Sequence, residues 1–107
     1  MMQNYTDSIP VFKALADETR LQILDMLSSG ESCACRLLDH FNFKQPTLSY
    51  HMKILTESGL VRGVRDGTWM RYSLVPDRFA EVQDFLTALF EEKDARLFDT
   101  PVCRKSS

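Results

Sequence analysis

The sequence predicts a mainly α-helical domain of about five helices that carries one two-stranded β-hairpin. Three observations lead there. Five stretches carry helix start and stop signals or apolar residues at helical spacing, a three-residue break separates the third from the fourth, and Asp66-Gly67 lies between two short strand-like runs. The 107 residues are 44 % hydrophobic and 26 % charged, ordinary values for a soluble globular chain. That length suits a single domain over residues 1–107 and excludes a large enzyme with a separate cofactor domain. The core is modest at this size, so burying a further apolar face between two copies would help.

The first helix is expected from Ser8 to about Ala16. Ser8 is its cap, Pro10 fits its first turn, and Ile9, Phe12, Leu15 and Ala16 form one stripe. Asp17 reads as the cap of a second helix reaching Ser28, with Leu21, Ile23, Leu24 and Leu27 inward and Gly30 as the stop. Glu31 to Cys33 is a connector. A third helix should run from near Cys35 to Phe41, and a fourth from Gln45 to Ser58, with Pro46 in its first turn and Gly59 ending it. Leu60 to Arg65 and Thr68 to Leu74 read as strands joined by an Asp66-Gly67 turn. This frame opposes Arg65 to Thr68, Val64 to Trp69 and Arg62 to Arg71. A last helix spans Pro76 to about Leu97 with an apolar stripe of Phe79, Val82, Phe85, Leu86, Leu89 and Phe90. The apolar faces of both terminal helices predict a dimer seam. Residues 1–7 are expected to be a flexible arm and residues 100–107 a flexible tail.

No run approaches the ~20 apolar residues that span a bilayer. The opening residues have neither a basic region nor an apolar stretch, so no signal peptide is expected and the cytoplasm is the expected compartment. Net charge is −2, but its distribution matters more. Residues 1–43 carry −3, residues 44–74 carry +3 and residues 75–107 carry −2. A basic island thus lies between acidic flanks, at the fourth helix and the hairpin.

Helix, short turn, helix and hairpin is the order of a winged helix-turn-helix. In the fourth helix, Leu48, Met52 and Leu55 fall within about 60° at ~100° per residue and must face the core. Gln45, Thr47, Ser49, Tyr50 and Lys53 lie on the opposite face or its flanks. These short polar and basic side chains suit base edges and phosphates in a major groove. A solvated helix face explains them equally well alone; the basic island and the hairpin decide for double-stranded DNA. His51 lies beside the core direction and reads as a half-buried, hydrogen-bonded histidine. Arg62 and Arg71, expected to oppose each other, would be relieved by a bound phosphate. Arg65 near the hairpin tip would reach a minor groove.

Cys33-Ala34-Cys35-Arg36 is hard to explain by packing, because buried cysteines usually occur singly. At a helix N-terminus, the dipole and Arg36 favour thiolate, and thiolates select soft ions. Residues i and i+2 point about 200° apart in a helix but share a face in a strand. Both sulfurs are therefore expected to grip one ion only if the segment is extended or unwound, which would pull on the helix that braces the fourth.

The sequence resembles the ArsR/SmtB family of bacterial metal- and metalloid-responsive repressors. The likeness rests on Phe12 to Leu24, on Cys33-Ala34-Cys35-Arg36-Leu37-Leu38, on Gln45 to Lys53, and on Asp66-Gly67 with its strand; it covers roughly residues 8–90. In particular it resembles the arsenical-resistance operon repressors, whose Cys-x-Cys lies at this point before a helix. The resemblance implies a non-enzymatic homodimer on an inverted-repeat operator, released when trivalent arsenic or antimony binds, with no organic cofactor. Some relatives carry a third cysteine where Leu38 stands here. The third ligand is then Cys103, an oxygen donor or a small thiol. Arg36 stands where an acid is common, and Tyr50 where a histidine is common. Two alternatives remain: a cadmium or lead sensor of the same family, and a thiol redox or persulfide switch. Cadmium and lead sensors carry further cysteines in an N-terminal extension, and the arm here has none. Zinc sensors place histidines on the last helix, and Pro76 to Leu97 has none.

Overall fold

A computed structural model describes residues 5–99; residues 1–4 and 100–107 lie outside the description. Five helices and three short strands follow in the order α1 (Tyr5–Leu15), α2 (Glu18–Leu27), β1 (Ser32–Cys33), α3 (Ala34–Phe41), α4 (Gln45–Glu57), β2 (Val61–Asp66), β3 (Trp69–Leu74) and α5 (Pro76–Asp99). This is the expected mainly α, winged helix-turn-helix architecture.

Local chemistry sets most boundaries. The Asp17 carboxylate accepts from the Arg20 N–H at 3.0 Å and caps α2. Asn42 closes α3 in the left-handed region at φ 56°, which asparagine tolerates better than most residues. Gly59 takes φ +86° after α4, and Leu60 beyond it is fully buried. Val11, Ala14, Ile23, Leu37, Met52, Leu55 and Leu60 form the centre of the core, contributed by α1 to α4 and the start of the wing. Arg78 fastens α5 to this body: its guanidinium donates to the Ser58 carbonyl at 3.0 Å, to Glu81 at 2.9 Å and to the Asp7 carbonyl at 3.2 Å. Phe85 packs against Tyr5 and Phe12, with ring centroids 6.2 Å apart in both pairs, so α5 lies along α1.

Several expectations need correction. Helix α1 starts at Tyr5, so residues 5–7 are not a loose arm; Pro10 lies inside it, and Ser8 is buried with its hydroxyl donating to the Tyr5 carbonyl at 2.7 Å. Leu21 points outward at 49 % exposure, because α2 buries the narrower stripe of Ile23, Leu24 and Leu27. The sheet has three strands, ordered β1-β3-β2 and antiparallel throughout, because the connector before α3 pairs with β3 through Ser32 and Cys33.

The hairpin frame also differs by one residue. Asp66 faces Trp69, Val64 faces Arg71 and Arg62 faces Ser73. The turn is Gly67-Thr68, with Gly67 at φ +65° and no positive φ at Thr68. Glycine at the first turn position with an ordinary second residue is the type II′ pattern, so Asp66 stays in the strand. Arg62 and Arg71 therefore never oppose each other, and a phosphate is not needed to relieve them. Gly63 pairs with Tyr72, and an added Cβ there would stand 2.8 Å from the Tyr72 ring; only glycine lets that ring lie across β2.

Candidate nucleic-acid interface and thiol site

Helix α4 presents its two faces as its sequence requires. Leu48, Met52 and Leu55 are buried, and Gln45, Thr47, Ser49, Tyr50 and Lys53 are exposed. Pro46 near the N-terminus starts the helix without a side-chain cap from Lys44. Arg62 and Arg65 project from β2 into solvent. A groove of about 360 Å³ separates α4 from the sheet, with Ser49, Lys53 and Thr56 on the helix side and Gly63, Met70 and Tyr72 on the other. Thr56, one turn beyond Lys53, joins this lining without a motif in the sequence to mark it.

Arg71 is placed differently from Arg62 and Arg65. Its guanidinium meets the Glu31 carboxylate at 3.1 Å and lies 3.7 Å from Asp66, so two acids already neutralise it. The helix-turn-helix is braced by aromatic rings. Phe41 stacks on Phe43 at 5.1 Å, Phe43 stacks on His51 at 5.8 Å, and Tyr50 meets His51 edge-on at 5.1 Å.

Behind them, Arg20 is buried and organises the junction of α1, α2 and α4. It donates to the Ala14 carbonyl at 2.9 Å and to the Lys13 carbonyl at 3.1 Å, and its third contact is His51 Nδ1 at 3.3 Å. Arginine has no acceptor, so the His51 Nδ1 facing it must be unprotonated. His51 is thus the half-buried, bonded histidine expected. Burial lowers its pKa below the usual 6.5; nearby Asp17 opposes this and Arg20 adds to it. A lowered histidine pKa means that the unfolded chain takes up the proton first. The stability held above pH 6.5 is therefore expected to fall as pH drops from there to the folded-state pKa, and to level off below it. Urea unfolding at stepped pH should show this decline, and His51→Gln should lack it.

The thiols converge. Cys33 ends β1 and is the N-cap of α3, with extended backbone at φ −79° and ψ 152°, and its sulfur accepts from the Cys35 N–H at 3.1 Å. Cys35 lies in the first helical turn and is exposed. The two sulfurs are in direct contact as a disulfide, with Cα atoms 5.3 Å apart. The expectation of a non-helical segment is met by a single residue. The sulfurs meet as a disulfide with α3 intact from Ala34; a guest held between two separate thiolates is a different geometry, to which the expectation of an extended or unwound segment still applies. An extended cap followed by a helical residue brings together side chains that continuous helix would separate. Among the described residues no group of three or more His, Cys, Asp or Glu converges on a metal-sized site, and Cys103 lies outside the described residues.

A helix pair with a polar, basic outward face beside a wing defines a winged helix-turn-helix DNA-binding protein. Comparison with known proteins narrows this. Residues 17–62 match the model of the bacterial regulatory protein arsR family. An HTH-type transcriptional regulator of Methanocaldococcus jannaschii is 40 % identical over 82 residues, covering 76 % of this chain and 92 % of that protein. An arsenical resistance operon repressor of Staphylococcus aureus is 51 % identical over 71 residues, covering 66 % and 68 %. Among solved structures, an ArsR-like transcriptional regulator from Rhodococcus sp. RHA1 is 29 % identical with a TM-score of 0.80, covering 89 % of this chain and 87 % of its own. A homodimeric winged helix-turn-helix domain from Mycobacterium bovis, solved by NMR, is 30 % identical with a TM-score of 0.65, covering 82 % of each. The chain belongs to the ArsR family of transcriptional regulators, DNA-binding proteins rather than enzymes.

Proposed function

We propose that the chain is a repressor that binds an inverted-repeat operator as a homodimer and lets go when trivalent arsenic or antimony binds Cys33 and Cys35. The observation that carries this reading is the meeting of two sulfurs at the N-cap of α3, the first helix of the DNA-binding pair. When the pair is reduced, its two thiols displace two hydroxyls from arsenous acid as water and form two As–S bonds. One arsenic position is left for a third donor: Cys103, an oxygen or a small thiol. Relatives of the chain named arsenical resistance operon repressors, from S. aureus and Escherichia coli, support the choice of inducer.

Toward DNA, Gln45, Thr47, Ser49 and Tyr50 take base edges and nearby backbone, and Lys53, Arg62 and Arg65 take phosphates. Arg71, neutralised by two acids, has the least charge to offer. The dimer forms along α1 and α5, where Ile9, Leu86 and Phe90 remain exposed, the last at 75 %. No described helix is long and apolar enough to cross a membrane, and the cytoplasm, where thiols stay reduced, is the compartment this function needs. Lys53→Ala is expected to weaken binding to all sequences alike and to reduce the log–log salt slope by about 1. An unchanged slope measured from 50 to 200 mM salt would remove Lys53 from the phosphate contacts.

The sulfur–sulfur contact favours one second reading, in which oxidation of the pair is the signal. Operator release from the reduced protein, tested separately with arsenite, antimonite, cadmium, zinc and peroxide, separates the two. Release by arsenite and antimonite supports the proposal. Release by peroxide alone, or by cadmium alone, contradicts it.

A further inference from the structure

Inducer binding at Cys33 and Cys35 has a route to the DNA-facing surface besides helix α3. The aromatic stack through Phe41, Phe43 and His51 also ties the end of α3 to α4, which makes independent movement of those two helices costly. Cys33 has a second covalent neighbourhood, the strand β1. In the sheet register, Cys33 pairs with Arg71, and Arg71 pairs on its other side with Val64, so these three residues lie in one row across all three strands. Directly paired residues in an antiparallel sheet place their side chains on the same face. The Arg71 side chain therefore shares a face with that of Cys33. Its guanidinium bonds Glu31, two residues before Cys33, at 3.1 Å, and reaches toward Asp66 beside the hairpin turn at 3.7 Å. One cation thus spans from the strand that leads into the thiol pair to the tip of the wing that carries Arg62 and Arg65.

We infer that Glu31 and Arg71 are positioning residues for the inducer response. They tie β1 to the wing, so that a guest re-posing the Cys33 backbone moves β3 and withdraws the wing cations from the operator. Their role is to position the strand rather than to hold the inducer. The inference rests on the reading of Cys33 and Cys35 as the inducer site. An exposed ion pair adds little to fold stability, so removing it leaves the fold standing and isolates a change in the coupling of the two sites.

The test uses the full reduced chain, its Glu31→Gln variant and the conservative Glu31→Asp variant. Each is titrated with arsenite alone, read by thiolate–arsenic absorbance, and again while bound to labelled operator, read by anisotropy. The expected result is that Glu31→Gln takes up arsenite like the parent and binds operator at least as tightly, but that the loss of operator affinity caused by arsenite shrinks by at least about fivefold. Glu31→Asp should restore most of the response. A Glu31→Gln protein released as readily as the parent overturns the coupling role while leaving the inducer reading intact. A variant that no longer takes up arsenite also overturns it, because Glu31 would then act on the site itself. If the parent takes up no arsenite, or takes it up and stays on the operator, the inducer reading fails and this inference falls with it.

Discussion

Replacing Cys33 or Cys35 by serine is expected to abolish arsenite-driven release while leaving operator affinity within about twofold of the parent. Structure and chemistry both favour a clean separation. The Cys33 sulfur caps α3 by accepting from the Cys35 N–H, and a serine hydroxyl is among the preferred groups for that task. Helix α3 should therefore survive Cys33→Ser. Cys35 is exposed in the first turn, where serine costs little. Neither change touches the polar face of α4. What each removes is one of two soft donors, and a hydroxyl is a poor replacement toward a thiophilic ion. The measurement is operator anisotropy with and without arsenite for the parent and both variants. Normal release of either variant would show that the inducer does not bridge the pair.

Arg20→Ala is expected to lower unfolding free energy by about 3 kcal/mol, the loss of charge-assisted bonds to two carbonyls and of the contact with His51. The fully buried Ala14 sits beside these carbonyls, so water does not readily replace the guanidinium. Arg20→Lys should recover only part of the loss, because one ammonium cannot match the planar fork that meets three acceptors on three sides. Operator binding should weaken as well, since His51 lies beside Tyr50 on α4 and loses its anchor. Urea unfolding at a fixed chain concentration tests the stability, because dimer stability depends on concentration. A loss below about 1 kcal/mol would contradict the stabilising role given to these bonds.

Arg20 shows where reading from sequence stops. An arginine one turn into a helix ordinarily faces solvent, and its burial here depends on where the last carbonyls of α1 end up. Signals that act within a few residues were legible: the Asp17 cap, Pro46 in the first turn of α4, the break at Asn42 and Gly59 after α4. The division of α4 into a buried face and an exposed polar one was legible for the same reason, since helical spacing alone decides it. Features that depend on distant partners were not. Strand β1 exists because β3 has a free edge beside the connector, and two residues carry no periodicity to announce that. The hairpin frame turned on whether Asp66 or Gly67 begins the turn, and one residue of difference changed the partner of Arg71 from Arg62 to Val64. The position of the thiol pair at the start of α3 was legible, but its geometry was not, because the mixed conformation of an extended cap and a helical neighbour lies between the two regular cases.

The most direct test of the account is a single titration of arsenite into the reduced chain bound to a fluorescent inverted-repeat operator, with anisotropy and thiolate–arsenic absorbance followed in the same cuvette. Both signals are expected to change together and to saturate at one arsenite per chain, with the operator free at the end. Absorbance that saturates while the operator stays bound would contradict it.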